Sequence, residues 1–88
     1  PRREVSPPLS VLVVDPHVEA GDSLADLLRL YGHRVEVART GGEALRAGPA
    51  DVVLLELRLP DIDGCEVARR LRGARAGGRG PVVLAVTT

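Results

Sequence analysis

In the stretch Val52-Val53-Leu54-Leu55-Glu56-Leu57-Arg58-Leu59-Pro60-Asp61-Ile62-Asp63-Gly64, four apolar residues run unbroken into a single acid, and a Leu-Pro and an Asp-Gly follow. A short β-branched run with no polar alternation suits a strand buried on both faces, as in a parallel sheet. The same unit stands at Val11-Leu12-Val13-Val14, ending in Asp15-Pro16. It stands again at Val82-Val83-Leu84-Ala85-Val86, ending in Thr87. A fourth piece, Arg34-Val35-Glu36-Val37-Ala38, alternates and reads as an edge strand with one wetter face.

Helical spacing fills the intervals. Val18, Leu24, Leu27, Leu28 and Tyr31 fall at helical spacings over a first helix, with Pro16 suited to the first turn and Gly32 to the end. Thr40-Gly41-Gly42-Glu43 is a capping-box pattern that opens a short second helix through Arg46 or Ala47, stopped by Gly48-Pro49. Asp63-Gly64-Cys65-Glu66 repeats that logic before a third helix carrying Val67, Ala68 and Leu71. Gly73–Gly80 reads as a flexible loop. The order β-α-β-α-β-α-β predicts a parallel sheet with helices on its faces and right-handed crossovers.

Composition narrows the function. At 88 residues the chain is one domain or less, and folding would remove only about 60–65% of its surface from water. Leu and Val dominate the apolar set; Phe and Trp are absent and Tyr occurs once. A single cysteine excludes an internal disulfide framework and a cysteine-based zinc cluster, which fits a reducing, cytoplasmic setting. No run approaches the ~20 apolar residues of a membrane span, and the start has no signal-peptide core. Net charge is zero, so nothing pulls the chain globally toward nucleic acid or anionic lipid. All twelve basic residues are Arg, which excludes Lys-dependent chemistry within these residues.

In open α/β sheets ligands bind beyond the carboxyl ends of the strands. Asp15, Glu56 and Thr87 stand at such ends. Two close carboxylates need a cation, an Arg or a raised pKa to coexist. Two acids and a hydroxyl fit a weak site for a hard divalent ion or a phosphate. Plainer roles stand beside these. Asp15 can serve as an N-cap, Glu56 as an exposed strand-end charge and Thr87 as an ordinary strand residue. Gly41-Gly42 suits the start of a helix better than a phosphate cradle. Arg69, Arg70, Arg72, Arg75 and Arg79 form a basic stretch; solvated charges favouring a helix C-terminus outweigh a nucleic-acid contact, and no aromatics are interleaved to stack bases. Cys65 reads as a packing residue, and His17 and His33 as surface residues.

Together these residues resemble the receiver domain of bacterial two-component response regulators, from about Ser10 to Thr88. The carriers are Val11–Asp15, Val52–Gly64, Val82–Thr87, Gly32-His33 and Gly42-Glu43-Ala44-Leu45. The resemblance implies a flavodoxin-like doubly wound sheet of strand order 2-1-3-4, cut before the family's last helix, strand and helix. It implies a phosphoacceptor aspartate after the third strand, Mg²⁺ held by an acidic pair, the acceptor and a backbone carbonyl, and a switch hydroxyl. Transferred residue by residue, Asp15 is the first acid of the pair and Pro16 replaces the second. Glu56 occupies the acceptor position, Arg58 the position of the carbonyl and Thr87 that of the hydroxyl. The family's Lys has no counterpart in these residues.

Glu56 sets its carboxylate about 1.5 Å further from the backbone than Asp would. A misplacement of about 1 Å can slow such chemistry about a hundredfold. Losing a metal ligand at Pro16 compounds this. The expectation is therefore a degenerate receiver: a signalling and interaction module that does not cycle through aspartyl phosphate, with no catalytic residue. Mg²⁺ is expected to bind weakly or not at all. Alternatives are an atypical Mg²⁺-dependent phosphoacceptor and an Arg-rich nucleic-acid module. Expected partners are a histidine kinase or other signalling protein and an output domain or partner, with no membrane, and nucleic acid is not expected to bind through this domain. Residues 1–9 read as a tail and 10–88 as a C-terminally incomplete receiver-like domain. Apolar residues of the first helix and the central strands are then expected to lie open, with cover from a longer protein, a homodimer or exchanged elements.

Overall fold

The computed structural model describes residues 7–73 and 80–86. Its elements run β1 (Ser10–Val14), α1 (Val18–Leu30), β2 (Arg34–Ala38), α2 (Gly41–Arg46), β3 (Val52–Leu55), α3 (Gly64–Gly73) and β4 (Val82–Ala85). The strands form one parallel sheet of order β2-β1-β3-β4, as the alternation predicts.

The register explains which side chains are core. Val14 pairs with Ala38 on one side and Leu55 on the other, and Leu55 pairs with Ala85. Side chains alternate across a strand, so Leu12, Val14, Ala38, Val53 and Leu55 share one face. There they cluster with Ala44 of α2 and Val67 of α3. Val11, Val13 and Val37 point to the opposite face, which α1 covers with its buried Ala25. The helix is about 10 Å wide and strands are about 4.8 Å apart, so one helix shields about two strands. That is why β1 stays covered, with Val11 and Val13 buried, while Val52 and Leu54 of β3 are half-buried and β4 lies open. Val82 and Leu84 of β4, and Leu27 and Leu30 of α1, are about half exposed or more. The openness expected of the first helix and the central strands is seen at Leu27 and Leu30 and in part at Val52 and Leu54, is absent at Val11 and Val13, and is greatest at the edge strand β4.

Three local expectations are corrected. Helix α1 begins at Val18, with His17 at the N-cap and no side-chain cap bond. Pro16 lies outside the helix, because the Asp15 carboxylate turns the chain first. Cys65 is exposed, since it follows Gly64 on the outer side of α3's first turn and the inward position falls to Val67. Glu66 does not reach back to cap α3; it reaches forward to Arg69 and Arg70, where two guanidinium groups compete better for a carboxylate than a backbone N–H. Helix α2 follows its motif more closely. Thr40 Oγ1 accepts the Glu43 N–H at 3.0 Å, and Glu43 Oε1 accepts the Arg39 N–H at 2.6 Å, one residue before the strict capping-box partner. His17 is exposed, as read. His33 is half-buried, and its Nδ1 accepts the Leu9 N–H at 3.1 Å. Residues 74–79, most of the expected Gly-rich loop, lie outside the described residues, as do Arg75, Arg79 and Thr87.

Candidate functional site at the carboxyl ends of β1 and β3

The two acids that the sequence placed at strand ends are brought side by side by the sheet. The Asp15 N–H bonds to the Ala38 carbonyl and the Glu56 N–H to the Val14 carbonyl, both at 2.9 Å. Each acid thus extends the ladder one residue past its strand, on neighbouring central strands. Glu56 is the one buried charged residue among the described residues, at 5% exposure. Asp15 keeps about a fifth of its side chain in solvent.

Both carboxylates are already engaged with the backbone. Asp15 Oδ1 accepts the His17 N–H at 2.8 Å and lies 3.1 Å from His17 Nδ1. This closes a turn across Pro16. Glu56 Oε2 accepts the Arg58 N–H at 2.8 Å. Glu56 thus closes the same kind of turn, onto the N–H two residues on, that Asp15 closes at His17 and Asp63 at Cys65. A buried carboxylate without such a donor would be costly, and no buried side-chain polar atom lacks a partner among the described residues.

The loop after Glu56 is fastened at further points. Gly64 N–H bonds to the Leu57 carbonyl at 3.1 Å. A Cβ on Gly64 would lie 2.5 Å from Leu57 Cα and 2.6 Å from its oxygen, so only glycine permits this approach. Asp63 Oδ1 accepts the Cys65 N–H at 2.9 Å. Asp61 reaches across to the start of α2, where its two oxygens accept the Gly41 and Gly42 N–H groups at 2.8 and 2.9 Å. Those two backbone donors hold the Asp61 carboxyl below its ordinary pKa of 3.8. On α3, Glu66 is held down to about 2 by its bonds to Arg69 and then Arg70.

The donor chemistry is a poor fit to a magnesium ion. Such an ion takes oxygen ligands in near-octahedral geometry. Here Pro16 has no side-chain oxygen, and each carboxylate already gives one oxygen to an N–H. Among the described residues no group of three or more His, Cys, Asp or Glu could hold a metal.

Asp61 and Arg39 escape a reading along the sequence. Asp61 sits in a loop whose partners are twenty residues away. Arg39 follows β2, and its guanidinium bonds to Asp22 Oδ1 of α1 at 2.6 Å. The Pro60-Asp61 step after Leu59 and the Arg next to a Thr cap are the local signals of the two.

A doubly wound parallel sheet with acids at the carboxyl ends of its two central strands defines a flavodoxin-like module of the kind that binds ligands at its switch point. The chain belongs to the response regulator receiver domain family, which matches residues 11–88. It is 41% identical over 69 residues to the transcriptional regulatory protein TrcR of Mycobacterium tuberculosis, covering 74% of this chain and 26% of that protein. It is 44% identical over 69 residues to the sensor histidine kinase AtsR of Burkholderia thailandensis, covering 75% of this chain and 12% of that one. The chain thus spans under a third of these relatives. A CheY-like receiver domain from Methanospirillum hungatei superposes with a TM-score of 0.81 at 27% identity, covering 92% of this chain and 65% of that one. The response regulator TrrA of Thermotoga maritima, crystallised with Mg²⁺ and a beryllium fluoride, gives 0.78 at 30% identity, covering 89% and 68%.

Proposed function

We propose that this chain is a degenerate receiver, a two-component signalling module that works by protein contact rather than by cycling through an aspartyl phosphate. The observation that carries the reading is Glu56. Its carboxylate is buried at the acceptor position and bonded to the Arg58 N–H. A group already satisfied inside its own loop is poorly placed to attack a phosphorus atom, because phosphoryl transfer depends on in-line positioning and charge neutralisation. Pro16 removes the second acid that would help hold the neutralising ion.

On this reading Glu56 places a permanent negative charge near where a phosphoryl group would sit. Asp15 and Glu56 form the acidic pocket, the Arg58 carbonyl is at most a weak metal contact, and Thr87 is the switch hydroxyl. The partner is a histidine kinase or another signalling protein, and an output domain or partner receives the signal. The similarity to a sensor kinase and to a transcriptional regulator supports both roles. The single cysteine supports a cytoplasmic setting, and among the described residues no helix is long and apolar enough to cross a membrane.

The competing reading, an atypical Mg²⁺-dependent acceptor, requires affinity for the ion. Calorimetric titration of the wild-type chain with Mg²⁺ is expected to show no saturable heat at millimolar concentrations. Saturable binding there would overturn the degenerate reading in favour of the acceptor.

A further inference from the structure

Arg39 is a basic side chain that the fold fastens near the acidic pocket. Its residue follows Ala38, whose carbonyl accepts the Asp15 N–H, so the two positions are neighbours across the sheet. Its backbone N–H is held by Glu43 Oε1 at 2.6 Å. At the far end its guanidinium bonds to Asp22 Oδ1 at 2.6 Å and reaches the Val18 carbonyl at 3.4 Å. The side chain is anchored at both ends and is 30% exposed.

The path between those anchors crosses α1 at Gly21. A methyl group on Gly21 would come within 2.8 Å of Arg39 Nη1 and 3.4 Å of Asp15 Cβ. Glycine is a poor helix former, and Gly21 is a buried residue of α1. The guanidinium and the base of the Asp15 side chain fill the space that a larger residue would take. The guanidinium, paired with Asp22, and the base of the Asp15 side chain thereby pack against the same point of α1, at the edge of a pocket whose carboxylates fit a divalent ion poorly.

We infer that Arg39, laid across Gly21 beside Asp15, is a built-in cation of the acidic pocket that disfavours divalent ions there. The inference rests on the reading of Asp15 and Glu56 as the receiver's acidic pocket. It assigns to this chain's own guanidinium part of the neutralising role that a metal plays elsewhere. It also makes Arg39 a residue that sets ion preference, a role that neither its place after β2 nor its salt bridge alone requires.

The test compares Mn²⁺ binding in two proteins, with Mn²⁺ as a paramagnetic probe. One carries Pro16→Asp, which supplies a second acid; the other carries Pro16→Asp with Arg39→Gln. Calorimetry and broadening of the Asp15 and Glu56 amide signals report the affinity. Removing one fixed charge next to a doubly charged ion in a partly wet site is expected to tighten Mn²⁺ binding about five- to tenfold. Gly21→Ala on the Pro16→Asp background is expected to shift affinity the same way by a smaller factor, because it pushes the flexible guanidinium aside and keeps its charge. That variant carries the comparison if Arg39→Gln fails to fold. Equal affinities, or no binding by any of these proteins at millimolar Mn²⁺, would overturn the inference. Mg²⁺ binding by the wild-type chain would overturn the degenerate reading and leave the difference between the variants intact.

Discussion

Gly64→Ala is the sharpest single perturbation of the site's scaffold. The added Cβ would fall 2.5, 2.6 and 2.9 Å from Leu57 Cα, O and C. All three are backbone atoms of the residue that follows Glu56, so no side chain can rotate away. Relief requires the β3–α3 loop to move by about 1 Å, since ordinary carbon contacts begin near 3.5 Å. Overpacking of this kind costs about 1–3 kcal/mol. Loss of the Gly64 N–H bond to the Leu57 carbonyl adds about 1 kcal/mol. The total, about 2–4 kcal/mol, is a large part of the ~4–13 kcal/mol expected of a chain this size. It corresponds to a fall in Tm of about 10–25 °C. Circular dichroism during heating and in urea measures it. Gly48→Ala is the control, because a Cβ there meets nothing within 4 Å. A Gly64→Ala protein that melts with the wild type would refute the close approach of α3 to Leu57.

Further predictions concern the pocket, the helix charges and the open edge. Glu56→Asp alone is expected to recover little labelling by a small phosphodonor, because Pro16 still lacks a carboxylate; full activity in intact-mass analysis would show that the ion is held by other means. Glu66 titrates near 2 in the fold against an ordinary 4.5, so its pairing with Arg69 and Arg70 stabilises α3 fully above about pH 5 and is lost as pH falls from about 4.5 toward 2. Asp61, also lowered, acts in the same direction. Urea midpoints between pH 6 and pH 2 are expected to fall less steeply in Glu66→Gln, and equal slopes would contradict the assignment. The exposed apolar residues Leu27, Leu30, Val82 and Leu84 are expected to drive concentration-dependent association in sedimentation. Leu30→Lys with Leu84→Lys is expected to reduce it, and a strictly monomeric wild-type chain would count against it.

What the sequence made legible follows the range of the interactions. The strands are legible because Val11–Val14, Val52–Leu55 and Val82–Ala85 are unbroken apolar runs, although the burial such a run implies holds for β1, half for β3 and not for β4. Thr40 was legible as a cap because its partner, Glu43, is three residues away. The start of α1 was misplaced because Asp15 makes its bond through a turn before the helix rather than inside it. Glu66 looked like a capping acid until the two arginines on its own face outcompeted the backbone. Asp61 with α2, and Arg39 with Asp22 and Gly21, join residues from separate elements, and no local pattern reports such partners. Asp15 and Glu56 were found because the strand-end rule for parallel sheets and the family resemblance pointed to the same two positions. Neither foretold that each carboxylate would already be bound to a backbone N–H.

The central claim is that the pocket at Asp15 and Glu56 no longer accepts a phosphoryl group. Incubating the wild-type chain with Mg²⁺ and a small-molecule phosphodonor, followed by intact-mass analysis, tests it most directly. The unmodified mass alone is the expected result, and a phospho-adduct mapped to Glu56 would contradict the account.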